Sequence, residues 1–339
     1  MRAVRLEAIE KIHVRSVPER EPGSGEVVVR VRVCGVCGTD RHILRGEYPA
    51  KLPVTLGHEF AGTVAAAGPD VSLQAGLPVA VNPNISCGRC RECRCGDVAL
   101  CRNRVALGVD VDGGLAQYAV VPASQLYPIP PDMSMAHGAL CEPLACCLHG
   151  LDMAGIEPGM SVAVLGGGVI GQLMVQLARL AGANTVVLAT RQASRRALAE
   201  SLGATATTNP DSADTVAVIS GSQGIAPGGV DVVLECAGTV TTFEQAVHLA
   251  RRGGTILIFG VAPQEAVAAI SPFDVFSREL RIFGSYLNPL THGRAVELAA
   301  AGSLSLDPLI THRVSLSGVP GLLAAPPAPG EVKAMMVSQ

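Results

Sequence analysis

Tryptophan is absent from the 339 residues, and phenylalanine and tyrosine together account for only 3%. Hydrophobic cores must therefore be built from Val, Leu, Ala and Ile, and the chain lacks the aromatic platforms on which nucleic-acid bases stack. Charge is also scarce, at 16% with a net value of −3, which argues against a polyanion-binding surface. Lysine is nearly missing. Of 26 basic residues only Lys11, Lys51 and Lys333 are lysines, a bias toward arginine to which no functional weight attaches at this level. The start of the chain, MRAVRLEAIEKIHVRS, has no apolar stretch of the kind a signal peptide requires. The longest apolar candidate, Gly159–Leu180, is interrupted by Gly166, Gly167, Gly168 and Gly171 and reads as strand, turn and helix rather than a membrane span. A cytoplasmic protein with no membrane and no nucleic-acid partner is expected. A hydrophobic fraction of 48% excludes a disordered chain, and the length suggests about two domains.

Cysteine, by contrast, is abundant, with eleven residues at uneven spacing. Cys87, Cys90, Cys93 and Cys101 form a C-x2-C-x2-C-x7-C run that can wrap one loop around a single ion. Four thiolates fill the tetrahedral shell of Zn²⁺ and leave no open position, so such a site braces structure and does no chemistry. A disulfide framework is the bland alternative, but an intracellular chain of this size has no need of one. Iron–sulfur clusters use different spacings. Cys95 interrupts the run and fits less well. Cys141, Cys146, Cys147 and Cys236 read as small buried hydrophobes.

Residues 1–138 read as short strands divided by Gly/Pro turns, a largely β lobe from which the cysteine loop protrudes. From about Glu142 continuous apolar runs (SVAVLG, NTVVLAT, DVVLEC, TILIFG) alternate with helical patterns, which indicates a parallel sheet covered on both faces. After Asn288 a helical segment, HGRAVELAAAG, precedes a Pro-rich tail that is expected to be less regular.

Leu165 closes an apolar strand, and Gly166-Gly167-Gly168-Val169-Ile170-Gly171 opens the next helix. In that context a G-x-G-x-x-G motif specifies a dinucleotide site. The first glycine makes the turn, the second admits the pyrophosphate, and the third allows close helix–sheet contact. The phosphates are expected at the positive helix N-terminus, over Val169 and Ile170. An NAD site needs a carboxylate about 20 residues further on. Here Thr190 stands at that place, followed by Arg191, Arg195 and Arg196, and Asn184–Ala199 contains no Asp or Glu. Loss of the carboxylate removes repulsion of a 2′-phosphate, and guanidinium groups can clamp one, so NADP is preferred over NAD. The bland alternative is a solvated helix start.

Cys37-Gly-Thr39-Asp40-Arg-His42 and Gly57-His58-Glu59 supply a thiol, imidazoles and carboxylates, the ligand types of a zinc site with an exchangeable position. Together with GHEFAGTV, the cysteine loop, GGLAQYAVVP, ALCEPLAC, GGGVIG and PLITHR, these segments make the chain resemble the zinc-dependent medium-chain alcohol dehydrogenases over nearly its whole length. Within that superfamily it is most similar to the sorbitol (polyol) and threonine dehydrogenase branch.

The resemblance implies a doubly wound α/β nucleotide domain (Rossmann, residues 141–287) enclosed by a partly β, GroES-like catalytic domain (1–140 and 288–339). It implies two Zn²⁺ per chain, one in the cysteine loop and one catalytic. The catalytic ion would be held by Cys37, His58 and Glu59, with Glu142 as fourth ligand or bound through water. Thr39 would hydrogen-bond the reacting hydroxyl, His42 would pass its proton to solvent, and Asp40 would orient His58. The implied reaction takes a secondary alcohol, polyol- or cyclitol-like, to its ketone; L-threonine oxidation is the alternative. A homo-oligomer, dimer or tetramer, is implied as well. One departure matters: where sorbitol dehydrogenases carry an Arg-Tyr pair, this chain reads Ser285-Tyr286-Leu287-Asn288, which puts sorbitol itself in doubt.

Overall fold

The computed structural model describes residues 1–338, which divide into two compact units, 1–145 with 287–338, and Cys146–Tyr286. The first unit begins with β1 (Arg2–Ala8) and β2 (Lys11–Ser16), a hairpin. β3 (Glu26–Val36) follows and leads directly into α1 (Gly38–Leu44). Next come β4 (Val54–Thr55), β5 (Glu59–Ala67), β6 (Pro78–Val81), β7 (Asn84–Ile85), α2 (Arg91–Arg94), β8 (Val105–Ala106), β9 (Tyr118–Pro122) and β10 (Leu126–Pro128). The long helix α3 (Met135–Ala154) contains the boundary between the units.

β3 is the central strand of a seven-stranded sheet. One edge pairs with β5 throughout; the other pairs first with β9 and then with a strand from the end of the chain. Its sequence explains the position: Val27, Val29 and Val31 point into the core, with the exposed Arg30 between them. The alternation stops at Val33. From there to Val36 every residue is buried, so both faces of the strand are covered as it approaches α1.

The second unit is a six-stranded, all-parallel sheet made from β11 (Ser161–Leu165), β12 (Thr185–Ala189), β13 (Ala206–Thr208), β14 (Val230–Glu235), β15 (Ala250–Ile258) and β16 (Arg281–Gly284). Helices α4 (Val169–Leu180), α5 (Ala193–Ser201), α6 (Thr215–Ser220), α7 (Val240–Leu249) and α8 (Pro272–Ser277) connect them. The strand order β13-β12-β11-β14-β15-β16 reverses direction between β11 and β14. That reversal is the topological switch point at which open α/β sheets bind their ligands, and GGGVIG sits at the end of β11 beside it. Val162, Val164, Val186, Val187, Val233 and Leu234 are fully buried, as sheets sandwiched by helices require.

The chain then returns to the first unit through α9 (His292–Ala300), β17 (Ile310–Val314), α10 (Val319–Ala324) and β18 (Lys333–Val337). The Pro-rich tail is thus more regular than its composition suggested. β18 lies between β17 and β3 in the large sheet, and the Pro-rich link 325–330 before it is held by Arg41 of α1, which donates to the Ala325 carbonyl and pairs with Glu331 at 3.0 Å. Among the described residues no helix is long and apolar enough to cross a membrane.

Candidate functional site

Strand register assembles the candidate metal centre. Gly35 of β3 lies opposite Glu59 of β5 and Met335 of β18, so the next positions bring Cys37, His58 and Lys333 to the same end of the sheet. Donor atoms of Cys37, His58 and Glu59 all lie within 4.8 Å of one another. Cys37 is the N-cap of α1, and its backbone N–H donates to Asp40 Oδ2 at 2.9 Å. That bond anchors Asp40, whose other oxygen faces His58 Nδ1 at 3.4 Å. Asp40 is fully buried, and neither Asp40 Oδ1 nor His58 Nδ1 makes a hydrogen bond. Burial pulls the His58 pKa down, but the Asp40 carboxylate and the Cys37 thiol outweigh it and hold it well above the usual histidine value. The pocket therefore favours positive charge. A thiol, an imidazole and a carboxylate converging on one point, with buried polar atoms left unpaired around it, fit a Zn²⁺ ion with a free position.

The remaining predicted residues of this site fall as follows. Thr39 Oγ1 lies 3.6 Å from Cys37 Sγ. His42 is partly exposed and its Nδ1 lies 2.6 Å from Glu47 Oε2, a partner that sequence reasoning missed although it stands five residues on. Glu142 is buried on α3, one residue before Pro143, and stands outside the three-residue donor group. Lys333 went unrecognised as well: it is buried and ion-paired with Glu59.

Cys87, Cys90, Cys93 and Cys101 form a second donor group of the same compactness. Backbone N–H groups of Cys87 and Cys90 point at Cys101 Sγ (3.3 Å) and Cys87 Sγ (3.4 Å), as thiolates at a metal demand. N–H groups of Arg89 and Cys90 bring the Cys87 thiol down to about 6. Cys95 is exposed, caps α2 and lies outside the group; all eleven cysteines are free thiols.

At the switch point Gly166 has φ +106, a conformation that L side chains rarely adopt, and a Cβ there would sit 2.9 Å from the Ala237 nitrogen. Gly168 is the N-cap of α4 with open space around its absent Cβ, which leaves room for a phosphate over the first-turn N–H groups of Val169 and Ile170. Gly171 packs against the Gly166 carbonyl. Gly167, which the motif leaves unspecified, is constrained too: its Cβ would meet Thr190 Oγ1 at 2.9 Å. Thr190 is thereby buried directly against the glycine loop, while Arg191 beside it is exposed. Arg196 is less available than expected. Its guanidinium donates to the carbonyls of Thr190 (2.8 Å) and Arg191 (2.7 Å), so part of its donor set braces the loop. The Arg195 carbonyl accepts from Gln172 Nε2 (2.8 Å), which also reaches the Gly167 carbonyl at 3.3 Å.

Residues 23–131 match the family profile of the alcohol dehydrogenase GroES-like domain, and residues 169–301 that of the zinc-binding dehydrogenases. D-arabinitol dehydrogenase 1 of Uromyces fabae is 34% identical over 85% of this chain and 82% of its own. L-threonine 3-dehydrogenase of Thermococcus kodakarensis is 35% identical over 86% and 85%. Among solved structures, a zinc-binding dehydrogenase of Sinorhizobium meliloti 1021 bound to NADP superposes with a TM-score of 0.98 at 53% identity, covering 99% of this chain and 98% of that one. The chain belongs to the zinc-dependent medium-chain alcohol dehydrogenases.

Proposed function

We propose that the protein oxidises a secondary alcohol group of a polyol- or cyclitol-like substrate to the ketone, or runs the reverse reaction, with NADP preferred over NAD. The observation that carries the proposal is the convergence of Cys37, His58 and Glu59 on one point beside the fully buried Asp40. Cys37, His58 and Glu59 would hold the catalytic zinc, with Glu142 reaching it directly or through water. Asp40 turned toward Nδ1 leaves Nε2 of His58 as the donor nitrogen. Zinc bound there supplies Lewis acidity that lowers the pKa of an alcohol hydroxyl. Thr39 then accepts or donates the hydroxyl proton, and His42, bonded to Glu47 at the surface, exchanges it with solvent. Cys87, Cys90, Cys93 and Cys101 would hold a second, structural zinc.

NADP preference is supported by Thr190 standing where an NAD site carries its carboxylate and by the exposed Arg191 guanidinium. The S. meliloti protein bound to NADP supports it as well. Self-association belongs to the same proposal, supported by the edge strand β16 and by Phe273 and Phe276, exposed to 71% and 78% on neighbouring α8. So does a cytoplasmic location. The test is a panel of polyols, cyclitols and amino alcohols assayed by reduced-nicotinamide absorbance with each cofactor in parallel. Turnover of polyols with NADP is expected; turnover of L-threonine alone would transfer the site to the amino-alcohol reaction.

A further inference from the structure

The cysteine loop does not share the charge of the chain. Residues 87–104 carry five arginines against Glu92 and Asp97, in a protein whose net charge is −3. The loop stays net positive even with four thiolates around one dication. Arg102 is paired with Glu92 at 2.9 Å. Arg104 has no carboxylate partner among the described residues, and its Nη1 donates to Asn84 Oδ1 at 3.3 Å. It lines a cavity of about 200 Å³, walled by both stems of the cysteine loop, by Tyr127 on β10 and by the link 287–290. All of these lie within the first unit. Among the described residues no carboxylate lines the cavity.

The amides around Arg104 are oriented by it. A guanidinium can only donate, so Asn84 turns its oxygen to Arg104 and its NH2 group to Asn288 Oδ1 at 2.9 Å. The free end of Asn288 is therefore a donor. Asn288 is 2% exposed, and its Nδ2 makes no hydrogen bond. An unpaired buried donor is costly and calls for a partner. The backbone strains to place it there: Leu287 and Leu290 have φ of +61 and +57, a region leucine seldom occupies, and such strain gathers at ligand clamps. Asn82, also in the wall, accepts from the Asn84 N–H through Oδ1 at 3.1 Å, so what it has left to offer is its NH2 group.

We infer that this cavity is a ligand site distinct from the metal centre, binding a small oxyanion (a phosphate or a short carboxylate) on the Arg104 guanidinium and the NH2 groups of Asn82 and Asn288. One cation, several donors and no competing carboxylate select an anion, and the planar guanidinium suits two oxygens at once. The volume equals that of about seven liquid waters, room for a single oxyanion group and its immediate carbon frame. Seated there, the anion joins the cysteine loop to the link 287–290.

The test is calorimetric titration of the holoprotein with inorganic phosphate and, separately, with acetate, which tells a phosphoryl from a carboxylate source; glycerol is the uncharged control. Saturable binding of at least one anion is expected, with a rise in melting temperature that follows its concentration. Arg104→Gln, which keeps an N–H for Asn84, should weaken binding by roughly tenfold or more, the scale of a charge-assisted hydrogen bond. Asn82→Asp keeps the acceptor for the Asn84 N–H but sets a carboxylate in the wall, and should abolish binding. Cys37→Ser and Arg191→Leu should bind as the parent does, because the metal centre and the nucleotide loop play no part. Loss of binding in either of these two assigns the anion to that other site and overturns the inference without touching the dehydrogenase reading. It is overturned equally by the absence of saturable binding, which leaves the cavity to water, by parental affinity in folded Arg104→Gln or Asn82→Asp protein, or by glycerol binding as tightly as the anions.

Discussion

His292 offers a measurement of how firmly the returning segment is packed. It opens α9, is fully buried, and lies 4.7 Å from the Tyr127 ring, with neither imidazole nitrogen hydrogen-bonded. Burial takes its pKa down to about 3. In the unfolded chain it titrates near 6.5, so between those values the unfolded state binds a proton that the folded state refuses. Stability is therefore complete above about pH 6.5 and is lost as pH falls toward about 3. At pH 5.5 the unfolded imidazole is roughly ten-elevenths protonated, and linkage sets the cost at about 1.4 kcal/mol relative to pH 7.5. The perturbation is His292→Phe, which keeps the ring against Tyr127 and removes both unpaired nitrogens, with His292→Leu as a smaller companion. Urea unfolding at pH 7.5 and 5.5, at fixed zinc and cofactor, compares the variants with the parent. The parent should lose about 1.4 kcal/mol more than either variant on acidification, since every other titrating group is common to all three. Identical losses would show that His292 is protonated in the folded state and that its pocket is wetter than described.

Metal analysis of the holoprotein is expected to find two zinc ions per chain, and Cys37→Ser should keep one while losing turnover; a single ion in the parent would remove the catalytic centre. Thr190→Asp combined with Arg191→Leu should move the NADP/NAD ratio of kcat/KM toward NAD by roughly ten- to a hundredfold, the worth of one charge-assisted phosphate contact. An unchanged ratio would mean that the 2′-phosphate is read elsewhere. Gly167→Ala should raise the KM for the cofactor and lower stability by about 1–3 kcal/mol, because its methyl would press on Thr190; wild-type cofactor binding and melting would show that the loop yields more freely than its packing implies.

What could be read along the chain is what depends on neighbours in sequence. The four-cysteine run closes on itself within one loop, so its spacing alone brings the four sulfurs together. The glycine motif works through one strand, one turn and one helix, and its Gly166 and Gly168 roles follow from local backbone geometry. The alternating apolar runs likewise set the parallel sheet, because buried strands must be apolar on both faces. Cys37, His58 and Glu59 were nominated by resemblance, since nothing in their spacing shows that β3 and β5 run side by side. Tertiary structure decided the rest. The tail's composition hid β18, whose place beside β3 comes from sheet register and from the Arg41–Glu331 pair. Only the structure shows that part of the Arg196 donor set is given to carbonyls of its own loop. Lys333 and Glu59 stand at opposite ends of the chain, and only pairing of both their strands with β3, across a residue lacking a side chain, buries opposite charges together. Such contacts depend on which strands become neighbours, and that is settled by the packing of whole sheets rather than by any local run of residues.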